Sequence, residues 1–396
     1  MKKLSLLIGL VSIIPAGAQS YHQDCKNSEM LLHSERHAPC RHEIIIPQVN
    51  GYNVYKADLH THTVFSDAQV LPKYRVNEAW KDGLDVMAVT EHIEYRPTEE
   101  TFLEYLNSYM SKKYDSAINN RLVDGNELTK GGIMVDLNFA VKESIKATER
   151  IDLLIIPGSE ITRSGDQVGH FNALFTTDNN LIYDPDPVQA IRNAKAQGAL
   201  VLHNHPGWIR KNIDFTPAEK VAYAEGLIDG VEVMNASEFY PGVIDRVQKY
   251  GLFISANTDI HTSTAEEYNQ TGAIRPMTLI LAKEKTLESI REALENNRTI
   301  AYGFNTLCGE EQLLKDFFKA GVVIRVLRKD DNKNYLALTN LTSVPYTVRQ
   351  KGHNQKRLDP FCTISFSCPL EDTSIGLEVL NMFYSSDKHP VVELSF

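Results

Sequence analysis

Between Tyr55 and Tyr302 eight short, β-rich apolar runs alternate with helical stretches, and no other feature of the chain restricts its fold as much. The runs are YKADLHT, DVMAVTEH, DLLIIPGSEI, HFNALF, ALVLHNH, GVEVMN, LFISANTD and TLILA. Strands separated by helices pair in parallel and are covered on both faces, so this rhythm predicts an α/β domain. Eight repeats favour a closed or nearly closed barrel over an open sheet. Helices are expected over Pro187 to Gln197 and Thr286 to Asn297. Two more, Thr98 to Lys113 and Leu137 to Arg150, fall in the long gap from Ile93 to Arg150, an insertion of the kind that caps an active site.

The pattern changes at about Leu313. VVIRVLRK, YLALTNLT, YTVRQK, TISFSC, IGLEVLNMFYS and VVELSF are strand-like runs with turn residues between them and no helical spacing, which predicts a small antiparallel β-sandwich. A chain of 396 residues exceeds what one core usually supports, in agreement with a large and a small unit.

Hydrophobic and charged shares of 42% and 23% belong to a globular protein and exclude a disordered or collagen-like chain. A net charge of -10 has the wrong sign for wrapping duplex nucleic acid or coating an anionic membrane. The opening MKKLSLLIGLVSIIPAGAQS has two lysines, an apolar run from Leu4 to Ile14 and the small residues Ala16-Gly17-Ala18. It reads as a secretory signal peptide cut after Ala18, which makes the expected location the periplasm or the extracellular space. No lipobox precedes Cys25, so no lipid anchor is expected. Of the five cysteines, Cys25 and Cys40 close a short loop and form the expected pair. Cys362 and Cys368 share one face of a strand but stand roughly 20 Å apart, too far to bridge.

The chemistry is written at the strand ends. Thirteen histidines in such a chain give roughly 0.4 His-x-His pairs by chance. Here there are two, His60/His62 and His203/His205, together with Asp259-x-His261. Residues i and i+2 of a strand share a face, so each pair points into the mouth of the barrel. His92 and Glu160 close two further runs, His170 opens another, and Asp67 follows the first pair. Any one of these alone is as readily a satisfied core histidine or a solvated acid. Together they are imidazoles and carboxylates converging on one rim, the ligand types of zinc, manganese and iron, with carboxylates enough to bridge two ions.

In this order the motifs resemble those of the polymerase and histidinol phosphatase (PHP) family. The blocks are DLHTHTVFSD (Asp58 to Asp67), GLDVMAVTEH (Gly83 to His92), IPGSE with GHFNALF, LHNHPG and NTDIH, and they span about residues 51 to 305. SDA stands where the family commonly has SDG, TEH where it has TDH, and some relatives carry a His in place of Asp67. The resemblance implies a distorted seven-stranded (β/α) barrel, one fewer strand than the eight runs, and two or three divalent transition-metal ions. It places His60, His62, Glu160 and Asp259 on one ion. Glu160, His170 and His205 hold a second, bridged by Glu160, and Asp67, His92 and His261 hold a third. It also puts the ligand in the His-Pro pair, hence at His205; His203, one layer deeper, is left to packing or to orienting a ligand. The expected division is a signal peptide at 1–18, an extension at 19–50, the barrel at 51–308 and the β-sandwich at 309–396.

Three divalent ions bring six positive charges against three negative ones from Glu160, Asp67 and Asp259, leaving an anion-seeking pocket in an acidic chain. Metal-bound water becomes hydroxide near neutral pH, and paired ions stabilise both the attacking and leaving oxygens of an in-line displacement. The expectation is a secreted phosphoesterase acting on a small phosphorylated substrate, with neither nucleic acid nor a membrane anchor as partner. Arg163 and Arg210 are candidate phosphate contacts, while Trp208 and Tyr240 serve in core or rim packing or wall the pocket. Two rival readings are a metallohydrolase of amides or lactones and a binding protein whose metal cluster is structural.

Overall fold

The computed structural model describes residues 21–24, 26–33, 41–99, 101–102, 136–163, 169–269 and 274–396. The expected signal segment, Cys25, Cys40 and most of the expected helix from Thr98 to Lys113 lie outside them. Residues 1–41 and 42–396 form two compact units. The first contains an antiparallel hairpin of β1 (Tyr21–Asp24) and β2 (Asn27–His33).

The second unit begins with β3 (Asn53–Asp58), α1 (Pro72–Lys81) and β4 (Val86–Val89). It continues through α2 (Phe139–Ala147), β5 (Leu154–Ile161), β6 (Phe171–Leu174), α3 (Pro187–Ala196) and β7 (Leu200–His203). Next come α4 (Pro217–Ala224), β8 (Gly230–Asn235), β9 (Glu238–Phe239), α5 (Pro241–Tyr250) and β10 (Phe253–Asn257). β11 (Met277–Ala282), α6 (Leu287–Glu295), β12 (Thr299–Gly303), β13 (Thr306–Gly309) and α7 (Glu311–Gly321) lead into the C-terminal part. There the strands are β14 (Val322–Lys329), β15 (Lys333–Asn340), β16 (Tyr346–Gln350) and β17 (Lys356–Leu358). The last four are β18 (Thr363–Pro369), β19 (Ser374–Val379), β20 (Met382–Phe383) and β21 (Val391–Ser395).

Proline at the first helical position opens α1, α3, α4 and α5, where its fixed φ suits the helix and its missing N–H costs nothing. Gly251, at φ +66, ends α5 in the left-handed conformation that stops a helix. Strands β4, β6, β7, β8, β10 and β11 are buried along their whole length, which is why they read as continuous apolar runs without alternation.

Twelve strands form one curled sheet in the order β10, β8, β7, β6, β5, β4, β3, β11, β12, β13, β20, with β9 paired to β8. The α/β class holds, and the seven-strand count is corrected. β11 pairs antiparallel to β3 and carries the sheet on through β12 and β13 rather than ending it. β6 is antiparallel to both neighbours, so the sheet is mixed where parallel pairing was expected. Around the curl, β10 meets β11 and β12 through side chains: Thr278 Oγ1 accepts from Ala256 N at 3.1 Å, and Thr299 Oγ1 from Ile254 N at 3.1 Å. At the mouth Asn257 Oδ1 accepts from Leu59 N at 2.8 Å, and Asp259 N donates to His60 O at 3.0 Å.

The C-terminal part holds two antiparallel sheets, β14-β15-β18 and β17-β16-β19-β21. α7, which the sequence reading did not anticipate, precedes them. The run IGLEVLNMFYS divides at Leu380, because β20 leaves its neighbours to pair parallel with β13. One core crosses position 308: Met277, Leu279 and Ile300 of the curled sheet share a cluster with Phe317 and Phe318 of α7 and Leu336 of β15. Cys308, Cys362 and Cys368 are free thiols.

Candidate metal centre

Eight of the nine predicted ligands reach the same mouth because each sits where a strand ends or begins, and the ninth, Asp67, reaches it from the turn that follows the first histidine pair. His60 and His62 lie two and four residues past β3, and both are fully buried. His92 follows β4 and bridges to Glu160 near the end of β5. His170 precedes β6, His205 follows β7, and Asp259 and His261 follow β10. Glu160 is the centre. Its carboxylate lies 2.6 Å from His92 Nδ1, 3.3 Å from His170 Nδ1, 3.6 Å from both His60 Nε2 and His62 Nε2, and 3.7 Å from His205 Nε2. Asp259 Oδ1 stands 3.1 Å from His60 Nε2 and 3.0 Å from His62 Nε2. Asp67 lies 3.1 Å from His261 Nε2 and 3.4 Å from His92 Nε2.

These atoms form four overlapping groups, each with its donor atoms within 4.8 Å of one another: His60/His62/Glu160, His60/His205/Asp259, Glu160/His170/His205 and His62/Asp67/His92/His261. The second expected set appears intact. The first divides into two triads sharing His60, and His62 also joins the third.

The residues fit metal ions on their own evidence. His60 Nε2, His62 Nε2, Glu160 Oε2 and Asp259 Oδ1 are buried and make no hydrogen bond of good geometry, although they crowd one another and His92 as ion-pair contacts. A buried polar group without a partner costs on the order of 1–3 kcal/mol, and four in one spot need a common partner. Protonation shows the same crowding. Burial opposes charge on His92, but Glu160 and Asp67 outweigh it and hold its pKa at about 10. Burial, reinforced by His92 and His261, pushes His62 down to about 3. Asp259, Glu232 and Glu160 likewise overcome burial to hold His60 well above the ordinary imidazole range. A cation entering here replaces protons and relieves both kinds of misfit.

Around this cluster stands a layer the sequence reading missed. Glu232, fully buried in β8, accepts from His60 Nδ1 and Asn257 Nδ2 through Oε1, each at 2.9 Å. Its Oε2 accepts from His205 N at 2.7 Å and Asn235 Nδ2 at 2.9 Å. Asn204 Nδ2 donates to Glu160 Oε1 at 2.9 Å, and Thr162 Oγ1 contacts His92 Nδ1 at 2.5 Å. Glu91 fixes the first loop by accepting from Thr63 N and Thr63 Oγ1, at 3.1 and 2.6 Å. The one available signal for Glu232 was a carboxylate inside GVEVMN, an otherwise apolar run.

Both candidate phosphate arginines are engaged by protein groups. Arg163 pairs with Glu94 at 3.0 Å and donates to Asp184 O; Arg210 pairs with the buried Glu219 at 2.6 Å. Each of the two candidates thus already has a carboxylate partner. His203 does not orient a ligand. Its two ring nitrogens meet Tyr223 Oη at 2.9 Å and Glu219 Oε1 at 3.0 Å, and burial, against the pull of Glu219, holds its pKa below the usual value. Tyr240 packs on Gly207, whereas Trp208 stands 44% exposed beside His170 and His205.

A buried ring of imidazoles and carboxylates at the mouth of a curled α/β sheet defines a metal-dependent hydrolase. No protein-family model and no curated protein matches the sequence. Among solved structures, a two-domain protein from Bacteroides vulgatus containing a predicted PHP-like metal-dependent phosphoesterase is 32% identical. That match covers 91% of this chain and 100% of the other at a TM-score of 0.77. The chain belongs to the PHP-like metal-dependent phosphoesterase family, and it is a hydrolase of phosphoric ester bonds. A protein from Bifidobacterium adolescentis described as a putative metal-dependent phosphoesterase is 17% identical over 60% of this chain and 95% of its own, at a TM-score of 0.37. The lesion-specific endonuclease PfuEndoQ from Pyrococcus furiosus is 16% identical over 65% of this chain and 59% of its own, at 0.39.

Proposed function

We propose that this protein is an exported phosphoesterase that holds two or three divalent transition-metal ions (zinc, manganese or iron) on His60, His62, Asp67, His92, Glu160, His170, His205, Asp259 and His261, and hydrolyses a small phosphate mono- or diester. The observation that carries this reading is the convergence of four orphaned buried donor atoms inside the overlapping ligand groups. Bound there, such ions supply Lewis acidity and a water nucleophile to a phosphoryl group. The chain does the rest. Glu232 and Asn204 fix His60 and Glu160 in one orientation each, and burial excludes bulk water from both.

An acidic chain with a net charge of -10 favours a small substrate over a nucleic-acid duplex. Among the described residues no helix is long and apolar enough to cross a membrane. The N-terminal Lys-Lys-apolar pattern supports export, with cleavage after Ala18.

Elemental analysis of protein from metal-replete cells, with chromogenic mono- and diesters assayed before and after chelation, tests the reading. At least two ions per chain and phosphate ester turnover abolished by chelator are expected. Less than one ion per chain, or turnover confined to amide and lactone substrates, overturns it. Sequencing the N-terminus of the exported fraction tests the location, with Gln19 expected first.

A further inference from the structure

The loop that follows β7, Asn204 to Arg210, is built to hold one side chain in place. Two successive turns form it, Trp208 N donating to His205 O and Arg210 N to Gly207 O, each at 3.0 Å. Its middle is clamped: a Cβ on Gly207 would lie 2.5 Å from Tyr240 Cε1, so the tyrosine ring already fills that space. Its far end is tied down by Arg210, which donates to Pro206 O at 3.3 Å and pairs with Glu219. The loop is also strained. His205 and Ile209 adopt φ of +23° and +47°, and a β-branched residue in the left-handed region is a costly conformer kept where the surroundings enforce it.

What this clamped loop presents is Trp208. Its ring centroid lies 5.3 Å from that of His205 and 5.6 Å from that of His170, inclined by 62° and 51°. Neither imidazole stacks on the indole, and 44% of the residue remains exposed. Burying two ligand imidazoles would not need a half-open indole. The indole carries no charge and offers a phosphate one N–H donor at most, so the large apolar face of its open surface acts on the part of a substrate that is not phosphate.

We propose that Trp208 is the stacking wall of the metal centre, and that the physiological substrate is a phosphate ester bearing a flat, unsaturated ring at the ester or one sugar away from it. The proposal rests on the phosphoesterase reading and deepens it. Offset or edge-on contact with an aromatic partner favours a flat ring over a saturated one of equal size by roughly two- to tenfold.

Benzyl phosphate and cyclohexylmethyl phosphate test this, since both release a primary alcohol and differ only in the ring. Wild type is expected to show a several-fold higher kcat/KM for the benzyl ester. Trp208→Leu should bring the ratio to about one, and Trp208→Phe should keep part of it, with metal content unchanged in both. Uridine 5′-monophosphate against ribose 5-phosphate is the second pair. A preference there alone places the ring one sugar away from the ester, and a preference in the benzyl pair alone places it directly at the ester; either supports the proposal. Titration of the metal-loaded protein with benzylphosphonate gives a readout independent of turnover. Quenching of tryptophan fluorescence is expected in wild type and not in Trp208→Phe, where only Trp80 reports. Absence of hydrolysis of every ester defeats the phosphoesterase reading but leaves this binding test standing. Ratios near one in wild type for both pairs, a ratio unchanged in Trp208→Leu, or no quenching overturns the stacking wall.

Discussion

Glu232 decides the geometry of the centre without facing it. Its two oxygens receive four donors, so it fixes one ligand through a side chain, His60, and another through its backbone, His205. Glu232→Gln keeps the shape but turns an NH2 group toward donors that need an acceptor. Metal affinity is expected to fall roughly 10- to 100-fold, measured by competition with a chromophoric chelator, while far-UV circular dichroism stays unchanged. Unaltered affinity would remove Glu232 from this role. At this scale the mouth residues were legible because position and residue type coincide, imidazole or carboxylate at strand ends and in two pairs spaced two apart, with Asp67 read from its place after the first pair. Glu232, Asn204 and Asn257 were not, because their partners lie 172, 44 and 198 residues away in sequence, where no local spacing announces them.

Helix α4 shows how one residue serves an element and its surroundings together. Thr216 and Glu219 form a reciprocal capping box at its N-terminus, and the same Glu219 carboxylate holds His203 and Arg210. Burial would raise its pKa, but those partners depress it to about 2. A depressed carboxylate adds stability that is complete above its unfolded value of about 4.5 and is lost as pH falls toward 2. Wild type should therefore exceed Glu219→Gln by on the order of 3 kcal/mol at pH 6, with the gap closing between pH 4.5 and 2 in urea titrations. A gap constant with pH would show that the charge is not the source. Elements were legible where local signals are strong, as with Asp186-Pro187 opening α3 and Thr286 capping α6. α7 was missed although EQLLKDFFKAG carries an apolar face, because the strand runs after it set the expectation for the whole segment. The break at Leu380 was invisible because β20 exists through pairing with β13, more than seventy residues earlier.

For the molecule, the continuous core across position 308 sets the stability of residues 42–396. Phe317, Phe318 and Leu336 pack in one cluster with Leu279 and Ile300, so removing the C-terminal part would expose the apolar underside of the sheet that carries the ligands. Calorimetry of the intact protein should show one transition for this unit, and a chain ended at Leu307 should aggregate rather than fold. Two separate transitions, or a soluble, folded truncated chain, would contradict this. The curl of the large sheet has a different consequence. A ladder of main-chain bonds closes a barrel whatever side chains it bears, but here the meeting of β10 with β11 and β12 is carried by Thr278 and Thr299, and its rim by Asn257 together with main-chain bonds from Asp259 N to His60 O and from His62 N to Ile260 O. The circumference of the mouth, and so the spacing of the ligands on it, is therefore inherited in part through three particular side chains. Drift elsewhere in the strands can alter packing and leave that spacing alone; drift at these positions changes the diameter of the reaction chamber itself.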